Sequence, residues 1–223
     1  MIATDIMSPD VISVTPDARV IDVAEIFLAN RISAVPVLEA NGKLVGMVSE
    51  GDLMRRAETQ TERRRPWWLE ALVANDTHAN DYVKANAQKV ADIMTRDVVT
   101  AAPDTPIGEI AALLERHHIK RVPIVSDGKV IGIVSRANLL QALASLRKAI
   151  SSPTATADSA IRENVMARLR NESWVPLWRL NVTVHDGVVE LWGGVDTAAK
   201  KTAVRVLAEA TPGVREVIDH ITA

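Results

Sequence analysis

Asp5-Ile6-Met7 returns 87 positions later as Asp92-Ile93-Met94, and the same step carries Pro16-Asp17 onto Pro103-Asp104, Ile32 onto Ile119 and Val35-Pro36-Val37 onto Val122-Pro123-Ile124. After one deleted residue, Gly46-Met47-Val48-Ser49 falls on Gly132-Ile133-Val134-Ser135. The larger, N-terminal part of the chain is therefore one unit written twice. A repeated supersecondary unit does not easily bury its apolar face alone and stacks on its copy. Two copies related by a pseudo-twofold axis enclose a cleft, and function is to be sought there.

Periodicity predicts the order β-α-β-β-α in each copy. In copy one, Val11 to Val14 is a short β-branched run, and Pro16-Asp17 breaks it. Val20, Ile21, Ala24, Phe27 and Leu28 then recur at helical spacing. Ala34 to Leu38 and Leu44 to Val48 form a hairpin about Ala40-Asn41-Gly42, and Ser49 opens a helix to about Ala57. Copy two repeats this with Val98 to Ala101, Ile107 to His117, Arg121 to Val125, Val130 to Val134 and Arg136 to about Ser145. The sequence divides into repeat 1 (1–57), an insertion (58–89), repeat 2 (90–147), a linker (148–157) and a second domain (158–223). The insertion carries Arg63-Arg64-Arg65-Pro66-Trp67-Trp68, with a short helix expected from Pro66 to about Ala74. Such a segment either packs its Trp pair on a neighbour or touches lipid headgroups or single-stranded nucleic acid.

Composition narrows the function classes. The chain has 223 residues, 48% of them apolar, and a formal net charge of −2. That charge offers no bulk attraction to nucleic acid, which is not an expected partner. Cys is absent, which fits a reducing compartment. No signal peptide and no apolar run of membrane-spanning length is read, so a cytoplasmic location is expected. No Gly-rich phosphate loop, nucleophile elbow or His–carboxylate pair is found, so no catalytic residue is assigned and the protein is not expected to be an enzyme. His117-His118 is not a metal site, because adjacent helical residues point about 100° apart. No required cofactor and no metal are expected.

Each copy ends as strand, Ser, helix: Val48-Ser49-Glu50-Gly51-Asp52 and Val134-Ser135-Arg136-Ala137-Asn138. A Ser N-cap with an acid three residues on is a capping box, and that explains copy one without a ligand. Asn138 is a weaker capping-box partner, which leaves copy two with the Ser cap only. The same residues suit a nucleotide. A helix N-terminus attracts phosphate, and an ionised carboxylate accepts from both hydroxyls of a ribose diol. Asn accepts at one atom only, so Asn138 should hold ribose less well than Asp52.

The repeated Asp-Ile-Met, Val-Pro-Val/Ile and Gly-x-x-Ser-x-x-Asp/Asn elements resemble the cystathionine β-synthase (CBS) domain. The resemblance implies a mixed α/β (α+β) fold of two β-α-β-β-α repeats whose clefts bind AMP, ADP, ATP or S-adenosylmethionine as a regulatory ligand. It places Ser49, Asp52, Ser135 and Asn138 at ribose and phosphate positions, and Ser13 and Thr100 at the base-contacting end of the first strand. Val35 and Val122 precede a cleft-lining Pro. Around Val122 the chain is basic, with His118, Lys120, Arg121 and Arg136 where copy one has Arg31, Ser33, Ala34 and Glu50. Copy two is thus expected to supply most phosphate contacts, unless these cations form only a solvated helix end. A homodimer through the CBS helices is also expected.

In the second domain, Ala160, Ile161, Val165 and Leu169 mark a helix. Leu180, Val182 and Val184, the Asp186-Gly187 turn, and Val189 and Leu191 mark a hairpin. Thr197 to Ala210 is a helix stopped by Pro212-Gly213, and Val214 to Ile221 a strand. This α-β-β-α-β order, with Leu191-Trp192-Gly193 and the late Gly213-Val214-Arg215-Glu216-Val217, resembles the BON domain. The resemblance implies phospholipid, protein or self-association. Strand parity puts Thr183, His185, Glu190 and Trp192 on the face away from the core. An exposed Trp192 there would be a contact surface, used either for docking on the CBS pair or a second subunit, or for lipid. The reading is a ligand sensor that relays to the BON domain. The alternative is a ligand-free CBS scaffold that presents the BON domain to phospholipid or a protein partner.

Overall fold

The computed structural model describes residues 1–54, 86–146 and 155–223. Arg55, Arg56, the Arg63 to Trp68 segment and its expected helix lie outside the described residues, as does most of the insertion. In chain order the elements are α1 (Ala3–Ile6), α2 (Val20–Asn30), β1 (Ala34–Leu38), β2 (Leu44–Ser49), α3 (Glu50–Leu53), α4 (Val90–Ile93), α5 (Ile107–Arg116), β3 (Arg121–Ser126), β4 (Lys129–Ser135), α6 (Arg136–Leu146), α7 (Ala155–Arg170), a 3-10 turn (Leu177–Arg179), β5 (Leu180–His185), β6 (Val188–Gly194), α8 (Ala198–Glu209) and β7 (Glu216–Thr222). They form two compact units. One is Ile12–Val98; the other joins Met1–Val11 to Val99–Ala223. Helix α7 starts at Ala155, inside the stretch read as linker. Among the described residues no helix is long and apolar enough to cross a membrane.

Each copy is built on an antiparallel hairpin, β1–β2 and β3–β4. The first strands expected at Val11–Val14 and Val98–Ala101 are a correction. Each shrinks to a single parallel bridge, Val14 to Val37 and Ala101 to Ile124. The reason is the proline of the Val-Pro-Val/Ile motif. Val14 N–H donates to Pro36 O and Leu38 N–H to Val14 O. The next rung would need an N–H from Pro36, which has none. Pro123 ends the Ala101 ladder in the same way.

The opening tripeptides belong to the opposite units. Ile6 packs with Ile110, Leu114, Val122, Ile124 and Val134. Ile93 packs with Val23, Phe27, Val35, Val37 and Val48. Ser8 and Ile133 exchange backbone hydrogen bonds of 2.9 and 3.0 Å, and Met47 and Thr95 a pair of 2.9 Å each. Met94 lies on Gly46, where a Cβ would stand 2.6 Å from its sulfur, and Met7 lies on Gly132 in the same manner. Asp5 turns α1 by accepting from Ile2 N–H at 2.9 Å. The motif thus has three jobs: cap, core and strand cover.

The C-terminal sheet has the order β5-β6-β7, with β5 antiparallel and β7 parallel to β6. Asp186 (φ 48°) and Gly187 (φ 72°) are both left-handed, the requirement of a type I′ hairpin. The buried Asp158 brackets this turn, accepting from Asp186 N–H at 2.8 Å and Gly187 N–H at 2.9 Å. Ile161, Val165, Leu169, Val204 and Ala208 from the helices pack on Val182, Val184, Val189, Leu191 and Ile221. Gly193 has φ 120°, and a Cβ there would run into the Arg179 carbonyl. Gly193→Ala is expected to destabilise the C-terminal domain by about 2–4 kcal/mol, the sum of backbone strain and overpacking, read as a fall in its urea unfolding midpoint.

Candidate functional site

In Ile12–Val98 the strand ends collect the expected residues. Glu50 N–H donates to Ser33 O at 3.0 Å, tying the start of α3 to the entry of β1. Ser49 N–H and Ser49 Oγ donate to Asp52 Oδ2 at 3.0 and 2.9 Å. Ser49 and Asp52 are half-buried and Ser13 is exposed. The Val35 side chain is wholly in the core, so only its main chain is left for a ligand.

The second unit repeats the arrangement. Arg121 lies directly opposite Ser135 in the β3–β4 ladder, and Arg136 N–H donates to Lys120 O at 3.1 Å. Thr100 precedes the Ala101 bridge and is exposed. His118 closes the helix end with φ 53°, as Arg31 does with the same angle in copy one. His118, Lys120 and Arg136 are exposed and Arg121 half-buried, while Val122, like Val35, faces the core. This end of copy two is therefore cationic. Among the described residues no group of three or more His, Asp or Glu is placed to hold a metal.

Asn138 corrects the expectation of an incomplete cap. Its Oδ1 accepts from Ser135 N–H at 2.7 Å and from Ser135 Oγ at 2.6 Å, and its Nδ2 donates to Ser8 Oγ at 3.3 Å. An amide oxygen has two lone pairs, so it serves both Ser135 donors as Asp52 serves those of Ser49. Asn138 is only 4% exposed.

The sheet face away from the core is covered, which agrees with the docking alternative and not with an open contact surface. Thr183, Glu190 and Asn181 are buried, and Trp192 is half-buried. The cover comes from this chain's own α6. Asn181 Nδ2 donates to Gln141 Oε1 at 2.7 Å. Ser145 Oγ donates to Gln141 O at 3.0 Å, so the proton in its 2.9 Å contact with Thr183 Oγ1 comes from Thr183. Thr183 in turn accepts from Trp192 Nε1 at 3.2 Å. The Trp192 ring stacks on His220 with centroids 3.9 Å apart, and His220 Nε2 lies 3.0 Å from Glu190. Trp192 is thus a member of a polar network and not an apolar anchor.

Arg162, which the sequence reading passed over, holds this arrangement to the N-terminal segment. Its Nε donates to Val182 O (2.7 Å), and its two terminal nitrogens to Thr4 O (2.6 Å) and Met7 O (2.7 Å). Burial pushes its guanidinium down to about 10, so it stays charged at neutral pH. Ser159 and Arg170 add exposed contacts to Asp5 and Asp10. The available signal was spacing: Arg162, Val165, Met166 and Leu169 share the buried face of α7, and a cation on such a stripe needs a partner.

The CBS domain profile matches residues 3–58 and 90–145, and the BON domain profile matches residues 157–223. The chain belongs to the CBS-domain family and carries a C-terminal BON domain. It is 37% identical over 154 residues to the uncharacterized protein MJ1426 of Methanocaldococcus jannaschii, covering 64% of this chain and 91% of that one. It is 29% identical over 141 residues to the chloroplastic CBS domain-containing protein CBSX1 of Arabidopsis thaliana, covering 60% of each. The crystal structure of CBSX2 in complex with AMP aligns with a TM-score of 0.57 at 27% identity, over 66% of this chain and 98% of that one.

Removing the guanidinium strands three carbonyls in a buried seam, and a hydrogen bond to a charged group is worth about 1.5–3 kcal/mol. Relief of desolvation offsets part of this. Arg162→Met is expected to cost about 2–4 kcal/mol in denaturant unfolding, and to speed hydrogen exchange in β5.

Proposed function

We propose that this chain is a non-enzymatic sensor that binds an adenine nucleotide, AMP, ADP or ATP, or S-adenosylmethionine, at its CBS repeats and relays occupancy to the BON domain. The observation that carries this reading is the duplicated cap: Ser49 with Asp52 and Ser135 with Asn138 stand at equivalent hairpin ends. The AMP complex of CBSX2 supports the ligand class. Asp52 takes the ribose diol, while Ser13 and Thr100 meet the base beside the main chain of Val35 and Val122. His118, Lys120, Arg121 and Arg136 meet phosphate. The absence of Cys suits work in the cytoplasm.

A thermal-shift panel of AMP, ADP, ATP and S-adenosylmethionine tests the reading. A ligand at 100 times its Kd adds about 2.7 kcal/mol of stability. At least one is expected to raise Tm, with the shift reduced in Asp52→Ala. No shift with any of them, in folded and ligand-free protein, overturns the sensor reading.

A homodimer belongs to the same reading. Ile21 and Leu28 on α2 are 60% and 81% exposed, and Leu140 and Leu143 on α6 are 66% and 64% exposed. Pairs at helical spacing form apolar strips suited to a second copy. Leu28→Glu and Leu140→Glu are each expected to convert the dimer to monomer in light scattering; a wild-type monomer contradicts the assembly.

A further inference from the structure

The nucleotide cap of copy two and the seat of the BON domain lie on one stripe of one helix. Asn138, Gln141, Ala142 and Ser145 share a face of α6 by their spacing. Asn138 opens the stripe at the cap, Ala142 is in the core, and Gln141 and Ser145 hold Asn181 and Thr183 of the BON sheet. In this arrangement the Asn138 amide is engaged on both sides, by Ser135 and by Ser8, and is 4% exposed. A ribose diol reaches Asn138 only if the first turn of α6 shifts.

A short helix moves as a rod, because its backbone hydrogen bonds are cooperative. A shift at Asn138 therefore displaces Gln141 and Ser145 from the BON sheet. We propose that nucleotide at the Ser135–Asn138 cap and seating of the BON domain oppose each other: the seated domain holds the cap closed, and a ligand that takes Asn138 unseats it. The inference rests on the reading of the caps as ribose sites. The seat has the chemistry of a reversible contact. Its cross-links are polar, as in interfaces between domains that move. Asn181 Oδ1 is buried without a hydrogen-bond partner among the described residues, so the seated form is not fully satisfied. The coupling is reciprocal, since each event changes the other's equilibrium by the same factor.

The absence of Cys permits a direct test. Ser145→Cys with Thr183→Cys places one thiol pair where two oxygens lie 2.9 Å apart, a spacing that suits a disulfide. AMP is the probe, and its binding to the same protein is measured by calorimetry. Saturating AMP is expected to slow disulfide closure at least about fivefold, and the closed disulfide to weaken AMP at the copy-two cap by a similar factor. AMP that binds without changing the closure rate overturns the opposition and leaves the nucleotide reading intact. No binding of AMP, ADP, ATP or S-adenosylmethionine overturns both. If the double variant does not fold, hydrogen exchange of β5 in the wild type decides. Faster exchange with AMP supports the inference, and unchanged or slower exchange overturns it.

Discussion

The exchange of the Asp-Ile-Met segments is the constraint on which the CBS pair depends. Ile6 and Ile93 are at most 1% exposed, each in the core of the copy that follows or precedes its own. Fully burying such a side chain contributes about 1.5–3 kcal/mol. The exchange also completes both sheets, because Ser8 and Thr95 pair with β4 and β2. Neither copy has a finished core without residues from the other repeat. That is the physical reason for a duplicated unit, and it accounts for the glycines under Met7 and Met94: any side chain at Gly46 or Gly132 would hold the exchanged segment off the strand.

The second organising feature is polar. The BON domain keeps an ordinary apolar core on one side of its sheet and turns hydrogen-bonding groups toward α6 and α1. Arg162 is central, because a guanidinium has five donors in a fixed fork and can serve three carbonyls at once. Lys in its place would supply a point charge and no such geometry. The N-terminal segment that Arg162 grips is also the one that completes copy two, so the BON domain is tied to that copy through main-chain atoms.

The equivalence of the two caps shows how similar geometry can carry different chemistry. Asp52 and Asn138 both accept from the backbone and hydroxyl of the preceding Ser. The carboxylate brings charge. The amide brings an NH2 group, one of whose two donors goes to Ser8. The surrounding cations are also unevenly shared, with Lys120, Arg121 and Arg136 on copy two against Ser33, Ala34 and Glu50 on copy one.

Much of this was legible in the residues. The 87-residue step, the strand–Ser–helix endings, the type I′ turn at Asp186-Gly187 and the α-β-β-α-β order of the last domain all depend on local periodicity and backbone preference, which a sequence carries directly. The Ser caps were legible for the same reason. What could not be read was which surfaces meet. Nothing local says that Ile6 completes the copy it does not belong to, that Pro36 and Pro123 cut their first strands to single bridges, or that Asn181 and Thr183 meet Gln141 and Ser145 of α6. Those outcomes depend on contacts between residues far apart in the chain, such as Arg162 with Thr4 and Met7. Sequence alone determined the elements and their chemistry; tertiary packing decided their partners, because hydrogen bonds and buried area are properties of pairs of surfaces.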